Sequence, residues 1–244
     1  MGNLQPLGGG VEIYVSPTHR FCTDAILLAD FASIKGRDRA IDLGTGCGII
    51  PFLWCANGHS GGITAVEISG AAADMAARSA RHNGLEGQVD IINADLRRLC
   101  ADRPELRGAF TLVTRNPPYK AANDGAQSPD DERRQARHEV NCTTDDVCNC
   151  AAGLLNFGGR LCMCQRPDRL CDLIVSMRTA GIEPKRLRMV CQRAGAAPML
   201  ILIEGKRGGR PGLVNLPPLY VEGENGDFSP EMLDIYGGFK AAWR

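Results

Sequence analysis

The residue types best suited to chemistry in this chain form one tetrapeptide, which reads Asn116, Pro117, Pro118 and Tyr119. It follows the apolar run 110–113, which predicts a strand, so the tetrapeptide lies where that strand ends. Two consecutive prolines fix φ and remove two backbone donors. The Asn116 side-chain oxygen and the Pro117 carbonyl are thus rigid acceptors. Both can accept hydrogens from one planar NH2 group while the Tyr119 ring stacks on its plane.

Such acceptors predict the transfer of a group to a planar nitrogen, as in the exocyclic amine of adenine or the amide of glutamine. Holding the amine turns its lone pair toward an electrophile. The acceptors also stabilise the positive charge that develops on nitrogen, so no general base is required. An isolated Asn-Pro-Pro-Tyr sequence would equally fit a proline turn with a surface tyrosine. The elements that position it therefore decide between the two interpretations.

A glycine-rich loop lies upstream, between a predicted strand and a predicted helix. The strand covers Ala40–Leu43 and the helix about Ile49–Ala56, and the glycines between them are Gly44, Gly46 and Gly48. A dinucleotide-binding loop would have its third glycine at position 49, where this chain has isoleucine. The spacing is instead Gly-x-Gly-x-Gly, with an acid two residues before the first glycine. This pattern predicts the first βα unit of a Rossmann-like sheet.

Two further predicted strands end next to acidic residues. The strand Ile63–Glu67 ends in an acid, and the strand Val89–Ile92 is followed by Asp95. An acid at the end of the second strand of such a sheet binds the hydroxyls of a cofactor ribose. We therefore predict Glu67 as a ribose ligand; the alternative is a glutamate that caps the next helix. As part of a turn, Asp95 would have no functional meaning.

The glycine loop with Asp42 resembles motif I of S-adenosylmethionine-dependent methyltransferases. The loop, Glu67, Asp95 and the tetrapeptide follow one another in the chain, each at the end of a predicted strand. In this order the chain resembles class I methyltransferases over residues 23–204. The resemblance implies an α/β, Rossmann-like fold with a seven-stranded, mostly parallel sheet flanked by helices. It also implies S-adenosylmethionine (SAM) as the cofactor. The implied cofactor-binding residues are Thr23, Asp24, Asp42, Gly44, Thr45, Gly46, Gly48, Glu67, Asp95, on the adenine, and Asn116.

Thr23 and Asp24 also have a purely structural interpretation. They precede the apolar segment Ala25–Phe31, and either residue is a good N-cap for a helix. Near the methionine part of the cofactor, Asp24 would bind its amino group. The spacing alone does not choose between these roles.

Further motifs resemble those of the bacterial tRNA adenine-N6 methyltransferases, the kind that modify adenine 37 of a valine tRNA. They are Thr23-Asp24-Ala25, Arg137-His138-Glu139, Arg166-Pro167, Pro217-Pro218-Leu219-Tyr220-Val221 and Tyr236-Gly237. The resemblance implies a tRNA substrate and a catalytic role for Asn116, Pro117, Pro118 and Tyr119. Cys47 in the glycine loop and Arg115 before the tetrapeptide depart from the usual pattern of this group.

Contacts to RNA are expected from two basic segments. The charged run 130–139 follows the tetrapeptide and could form a substrate lid, in which Arg133, Arg134, Arg137 and His138 meet phosphates. Downstream, the segment 160–212 is rich in Lys and Arg and includes Lys185 and Arg186, which could form a basic face for a polyanion. Solvated surface charge is the alternative interpretation of both segments.

Composition limits the remaining possibilities. The 244 residues carry 28 Lys and Arg against 28 Asp and Glu, so RNA binding would have to rest on a local patch. None of the eleven cysteines forms a Cys-x-x-Cys pair, so we expect reduced, mostly buried thiols and no metal. No apolar run approaches the ~20 residues of a membrane span. We expect a cytoplasmic monomer with an N-terminal cap (1–22), a methyltransferase domain (23–205) and an irregular C-terminal tail (206–244) on the same domain.

Two other functions remain open at this stage. A methyltransferase that modifies glutamine in a protein such as a release factor would use the same tetrapeptide and cofactor. Against it, only about twenty residues of cap precede the predicted domain, which is too few for a separate substrate-docking domain. A non-catalytic RNA-binding module would keep the fold as a scaffold, although the intact glycine loop and tetrapeptide argue against it.

Overall fold

The computed structural model describes residues 3–17, 19, 21–117 and 142–241, with the backbone alone for 238–241. The strands are β1 (Asn3–Gly8), β2 (Val11–Val15), β3 (Ala40–Leu43), β4 (Ile63–Glu67), β5 (Val89–Asn93), β6 (Phe110–Arg115), β7 (Leu155–Gln165), β8 (Ile182–Cys191), β9 (Pro198–Arg207), β10 (Val214–Asn215) and β11 (Leu219–Tyr220). The α-helices are α1 (Thr23–Phe31), α2 (Ile49–Ala56), α3 (Gly70–His82), α4 (Leu96–Asp102), α5 (Thr144–Leu154), α6 (Leu170–Thr179) and α7 (Pro230–Ala241).

One sheet contains seven strands in the order β8-β9-β7-β6-β3-β4-β5, and the two-residue strands β10 and β11 pair with its outer strand β8. The strands from β7 to β5 pair in parallel, whereas β9 is antiparallel to β7 and to β8. The expected seven-stranded, mostly parallel α/β sheet is confirmed. From β3 the chain continues to β4 and β5 on one side and later to β6 and β7 on the other. The carboxyl ends of β3 and β6 therefore border the crevice where ligands bind in such sheets.

Helices cover both faces of the sheet because its central strands are apolar on both sides. Alternate side chains of β6 enter different cores: Leu112 packs in the one formed with α1, α2 and α3, and Val113 in the one formed with α4, α5 and α6. Both side chains are fully buried. This alternation places Asn116 on the α1 face and Arg115 on the α4 face, since neighbouring strand positions point to opposite sides.

The N-terminal arm is a hairpin that is tied to helix α3. The backbone N–H of Glu12 donates to the Asn83 side chain at 2.9 Å, and the Tyr14 N–H donates to Ser79 Oγ at 3.0 Å. Ile13, between them, is fully buried. The strand Val11–Val15 is thus one arm of a hairpin that packs its apolar face on the domain.

The C-terminal segment is more regular than expected. It contains β10, β11 and α7, so the expectation of an irregular tail is wrong. Helix α7 begins with Pro230 directly after Ser229, whose hydroxyl accepts from the Met232 N–H at 3.2 Å. Serine at the cap and proline at the first helical position are a typical helix start. Arg188 on β8 forms a salt bridge with Glu231 of this helix, with 2.7 Å between Nη1 and Oε1.

Six of the eleven cysteines are buried, which agrees with the expectation of mostly buried thiols. Within the described ranges, His, Cys, Asp and Glu form no group of three that could hold a metal ion. Among the same residues, none of the helices has the length and apolar character that a bilayer crossing demands.

Candidate active site

A cavity of about 360 Å³ opens at the carboxyl ends of β3, β4, β5 and β6. Its described walls include the glycine loop, the start of α1 and the first residues after β6. Of the predicted site residues, those that line it are Asp24, Asp42, Gly44, Thr45, Gly46, Glu67, Asp95, Asn116 and Pro117. Residues distant in sequence thus meet at the predicted edge of the sheet.

The glycine loop turns tightly because its backbone is bonded to the end of β4. The N–H groups of Gly44 and Thr45 both donate to the Val66 carbonyl, at 2.7 and 3.0 Å. Gly44 and Gly46 have φ of +68° and +60°, a conformation that L side chains rarely adopt. Gly48 also has a positive φ, but a Cβ there would lie 2.6 Å from the Phe52 ring. Gly48 is therefore required for packing α2, and it is not among the lining residues.

Glu67 is fixed at the end of β4 by two backbone donors. Its carboxylate accepts from the Gly46 N–H at 2.9 Å and from the Ser69 N–H at 2.8 Å, one on each oxygen. Each oxygen keeps a second lone pair, since a carboxylate offers about four acceptor positions. The side chain thus binds the backbone ahead of α3 and also faces the cavity. Its role as a ribose ligand stays a prediction.

Asp42 lies beneath the glycine loop with only 1% of its surface exposed. Its carboxylate accepts from the Thr114 hydroxyl at 2.7 Å. Burial raises the pKa of Asp42 to about 6, although the Thr114 bond and the charge of Arg115 act in the opposite direction. Asp42 is therefore protonated more readily than an exposed aspartate.

Asp95 begins helix α4. Its carboxylate accepts from the Arg97 backbone N–H at 3.0 Å and pairs with the Arg97 guanidinium. That hydrogen bond to the Arg97 side chain is the main reason why the pKa of Asp95 lies below its usual value. The residue is thus both a helix cap and an ionised acceptor at the cavity wall.

Arg115 is a site residue whose role the sequence did not predict. Its Nη1 donates to the Leu43 carbonyl at 2.9 Å and lies 1.5 Å from where a Cβ on Gly44 would be. A side chain at position 44 would therefore displace the Arg115 guanidinium, in addition to the strain that its φ of +68° imposes. The Arg115 Nε is buried and has no hydrogen-bond partner among the described residues. Arg115 is also the one cation among the described lining residues, against four acids there.

Asn116 is oriented by the next strand of the sheet. Its Oδ1 accepts from the Cys164 thiol on β7 at 2.8 Å, and Cys164 is fully buried. Pro117 follows in the cavity wall. The other catalytic candidates, Pro118 and Tyr119, and the expected RNA contacts Arg133, Arg134, Arg137 and His138 lie outside the described residues.

The start of α1 forms the opposite wall. Asp24 lines the cavity together with Phe21 and Cys22, which sequence reasoning did not identify. Thr23 is not among the lining residues; its hydroxyl is hydrogen-bonded to the Tyr236 hydroxyl at 2.9 Å. Thr23 thus connects α1 with α7, while Asp24 faces the space where a ligand would lie. No Thr23 or Asp24 side chain caps α1, because that helix begins after Cys22.

The two basic residues expected on an RNA-binding face are engaged within the protein. The Arg186 guanidinium donates to Glu204 at 2.8 Å and to the Phe31 carbonyl at 3.0 Å, at the end of α1 far from Asp24. Seven residues of helix separate those ends by about 10 Å. Lys185 donates to the Arg210 carbonyl at 3.1 Å. Neither side chain is brought to the cavity.

Comparison with known proteins gives consistent matches. Residues 22–131 match the family model of the methyltransferase small domain. A tRNA1(Val) (adenine(37)-N6)-methyltransferase of Bacteroides fragilis is 27% identical over 181 residues, which are 74% of this chain and 74% of that protein. A relative of the same name from Tolumonas auensis is 27% identical over 220 residues, 89% of this chain and 88% of its own. The crystal structure of a predicted O-methyltransferase from Agrobacterium tumefaciens superposes with a TM-score of 0.71 at 21% identity, covering 88% of this chain and 96% of that one.

The cavity suits the cofactor that the resemblance implies. SAM has an amino group, a sulfonium and an adenine amine, which favour acidic neighbours, and the lining acids are Asp24, Asp42, Glu67 and Asp95. The free lone pairs of Glu67 suit ribose hydroxyls. Gly44 and Gly46 present bare backbone, and a Cβ at Gly46 would meet no atom within 4 Å. A ligand can therefore approach this backbone closely.

Proposed function

Because this chain carries a methyltransferase small domain and is a SAM-dependent methyltransferase, we propose that it methylates the exocyclic N6 amine of an adenine in tRNA, of the adenine 37 type. The observation that carries the proposal is the position of Asn116 and Pro117 in the wall of the same cavity as the glycine loop and Glu67. An amine held by these acceptors would lie next to the site of the methyl donor. Bound SAM would supply an electrophilic methyl group there.

Each of these lining residues would have its own role in binding the cofactor or the substrate amine. Glu67 would accept from ribose hydroxyls and Asp95 from the adenine amine of the cofactor, while Asp24 would face its amino group. Asn116 and the Pro117 carbonyl would each accept one hydrogen of the substrate amine. This arrangement directs the nitrogen lone pair at the methyl group and stabilises positive charge on the nitrogen, without removing a proton first.

One observation favours adenine in tRNA over glutamine in a protein. The relatives from Bacteroides fragilis and Tolumonas auensis are both named as tRNA adenine-N6 methyltransferases, and the second match extends over 89% of this chain. The tetrapeptide serves either amine, so the relatives carry the choice of substrate.

The test separates the two acceptors by their products. The protein would be incubated with SAM labelled in its methyl group and with either bulk tRNA or bulk ribosomal proteins and release factors, and each sample would then be digested. We expect label on N6-methyladenosine from tRNA. Label on glutamine and none on adenosine would contradict the proposal.

A further inference from the structure

The hydrogen bond from Cys164 to Asn116 joins a residue outside the cavity wall to the proposed amine acceptor. The Sγ–Oδ1 distance is 2.8 Å. Asn116 directly follows β6, and Cys164 lies 48 positions later on the neighbouring strand β7. Arg115 pairs with Met163 in the parallel register of β6 and β7. Asn116 and Cys164 are the next residues of the two segments, so they lie side by side. On its other side, Cys164 pairs with Leu202 of β9. The backbone of Cys164 is therefore fixed by the sheet.

We propose that Cys164 is a positioning residue, which fixes the orientation of the Asn116 carboxamide so that its oxygen accepts the substrate amine. A carboxamide can turn by about 180° and exchange its oxygen, an acceptor, for its NH2 group, a donor. The S–H group donates to one lone pair of Oδ1 and leaves the second lone pair for the substrate. In the turned orientation the NH2 group would face the substrate amine, and two donors cannot bind each other.

The neighbouring thiol shows that this role is specific to position 164. Cys162 lies two residues earlier on the same face of β7, is equally buried, and contacts the Glu204 carboxylate at 3.7 Å. That carboxylate belongs to the ion cluster with Arg160 and Arg186, which holds the end of α1. The Cys-x-Cys sequence thus places one thiol on a structural ion cluster and one on the proposed catalytic asparagine.

The inference rests on the proposed function for the identity of the amine, and its kinetic test uses three variants. Cys164→Ala removes the donor, and Cys164→Ser keeps one. Cys148→Ala is the matched control, since Cys148 is equally buried but lies in the core on the other face of the sheet. We expect Cys164→Ala to lower kcat for tRNA methylation by on the order of ten-fold, as loss of one orienting hydrogen bond implies. Its KM for SAM should stay unchanged, and Cys164→Ser should recover most of kcat.

A structural role of Cys164 alone would give a different pattern. In that case Cys164→Ala and Cys148→Ala would lose similar thermal stability, and neither would lose kcat at a temperature where both are folded. Equal kcat values for Cys164→Ala and the parent would therefore overturn the inference.

A second measurement does not depend on catalysis. The side-chain NH2 signals of Asn116 can be assigned in a 1H–15N spectrum by their loss in Asn116→Ala. We expect them to move in Cys164→Ala, to return toward the parent position in Cys164→Ser, and to stay in place in Cys148→Ala. Unmoved signals in Cys164→Ala would overturn the inference. If the parent protein methylates no RNA, the proposed function fails, whereas this spectrum still decides the role of Cys164.

Discussion

At the scale of single residues, Asn116 decides whether the cavity is catalytic. Asn116→Ala removes one of two acceptors and lets the amine nitrogen turn away from the methyl group, so the loss should fall on turnover. Removal of one preorganised polar group typically costs ~100-fold or more in kcat. The check is steady-state methylation of tRNA together with calorimetric binding of the demethylated cofactor, whose affinity should fall far less than kcat because the other implied cofactor-binding residues remain. Turnover near the parent rate would exclude the amine-clamp mechanism.

The buried carboxylate of Asp42 predicts a pH dependence of stability. Burial raises its pKa to about 6 in the folded protein, whereas an unfolded chain keeps a value of about 4. The folded state therefore holds a proton between these values that the unfolded state has lost, so the free energy of unfolding falls as the pH rises from about 4 to about 6. Above that window the cost is on the order of 3 kcal/mol, at 1.36 kcal/mol per pKa unit.

Asp42→Asn should remove this cost, since its amide oxygen can still accept from Thr114. We expect the variant to unfold at higher urea concentration than the parent at pH 8 and at nearly the same concentration at pH 4. It should also bind SAM more weakly, because one negative charge beside a positively charged ligand is lost. A stability difference that does not depend on pH would show that Asp42 is not protonated on folding.

Residues with a backbone role could be predicted from the sequence, whereas side-chain pairs across strands could not. Gly44 and Glu67 have a fixed place in a short motif at a strand end, so their types and spacing are informative. The contact of Arg115 with Gly44 depends on a strand neighbour 71 positions away and on a side-chain conformation. The Cys164 bond to Asn116 depends likewise on the order of β6 and β7. Neither contact can be predicted from the residue pattern of a single sequence.

At the scale of elements, the same distinction holds. Helix α2 has the predicted bounds, Ile49–Ala56, because an apolar strand, a glycine loop and an apolar run define it locally. Helix α7 was not predicted, although Ser229 and Pro230 are a typical helix start. The segment before it has the composition of a loop, so the whole tail was expected to be irregular. Its position depends on contacts with distant residues, among them Thr23 and Arg188.

The cap of α7 supports a prediction about this helix. Ser229 accepts from the Met232 N–H at 3.2 Å and donates to the Tyr220 carbonyl at 2.6 Å. Ser229→Ala should therefore destabilise the helix by about 1–2 kcal/mol. Hydrogen exchange should accelerate in α7 and at the start of α1, where Thr23 binds Tyr236, and remain slow in β3 and β6. Unchanged exchange in α7 would show that the cap does not hold the helix. Ser60→Ala, at an exposed position between α2 and β4, is a suitable control.

At the scale of the whole molecule, charge determines where RNA can bind. The chain has no net charge, so a polyanion needs a local basic surface. In the described part of the basic segment, Lys185, Arg186 and Arg188 bind Arg210, Glu204 and Glu231 of the same chain. These contacts connect β8 with β9 and the C-terminal segment. The other expected RNA contact is the charged run 130–139, directly after the tetrapeptide, and both stay predictions.

Reversing the charge of three arginines in that run, Arg133, Arg134 and Arg137, should therefore weaken tRNA binding and leave the affinity for SAM almost unchanged. Each lost phosphate contact should reduce the slope of log K against log salt concentration by about 0.7 to 0.9. Binding curves at several salt concentrations measure both effects. The control reverses three exposed arginines elsewhere, Arg37, Arg81 and Arg193, which changes the net charge equally. A long-range effect of charge would weaken both variants alike, whereas a local phosphate contact weakens only the first. Equal tRNA affinity and salt slope in the first variant and the parent would identify 130–139 as solvated surface.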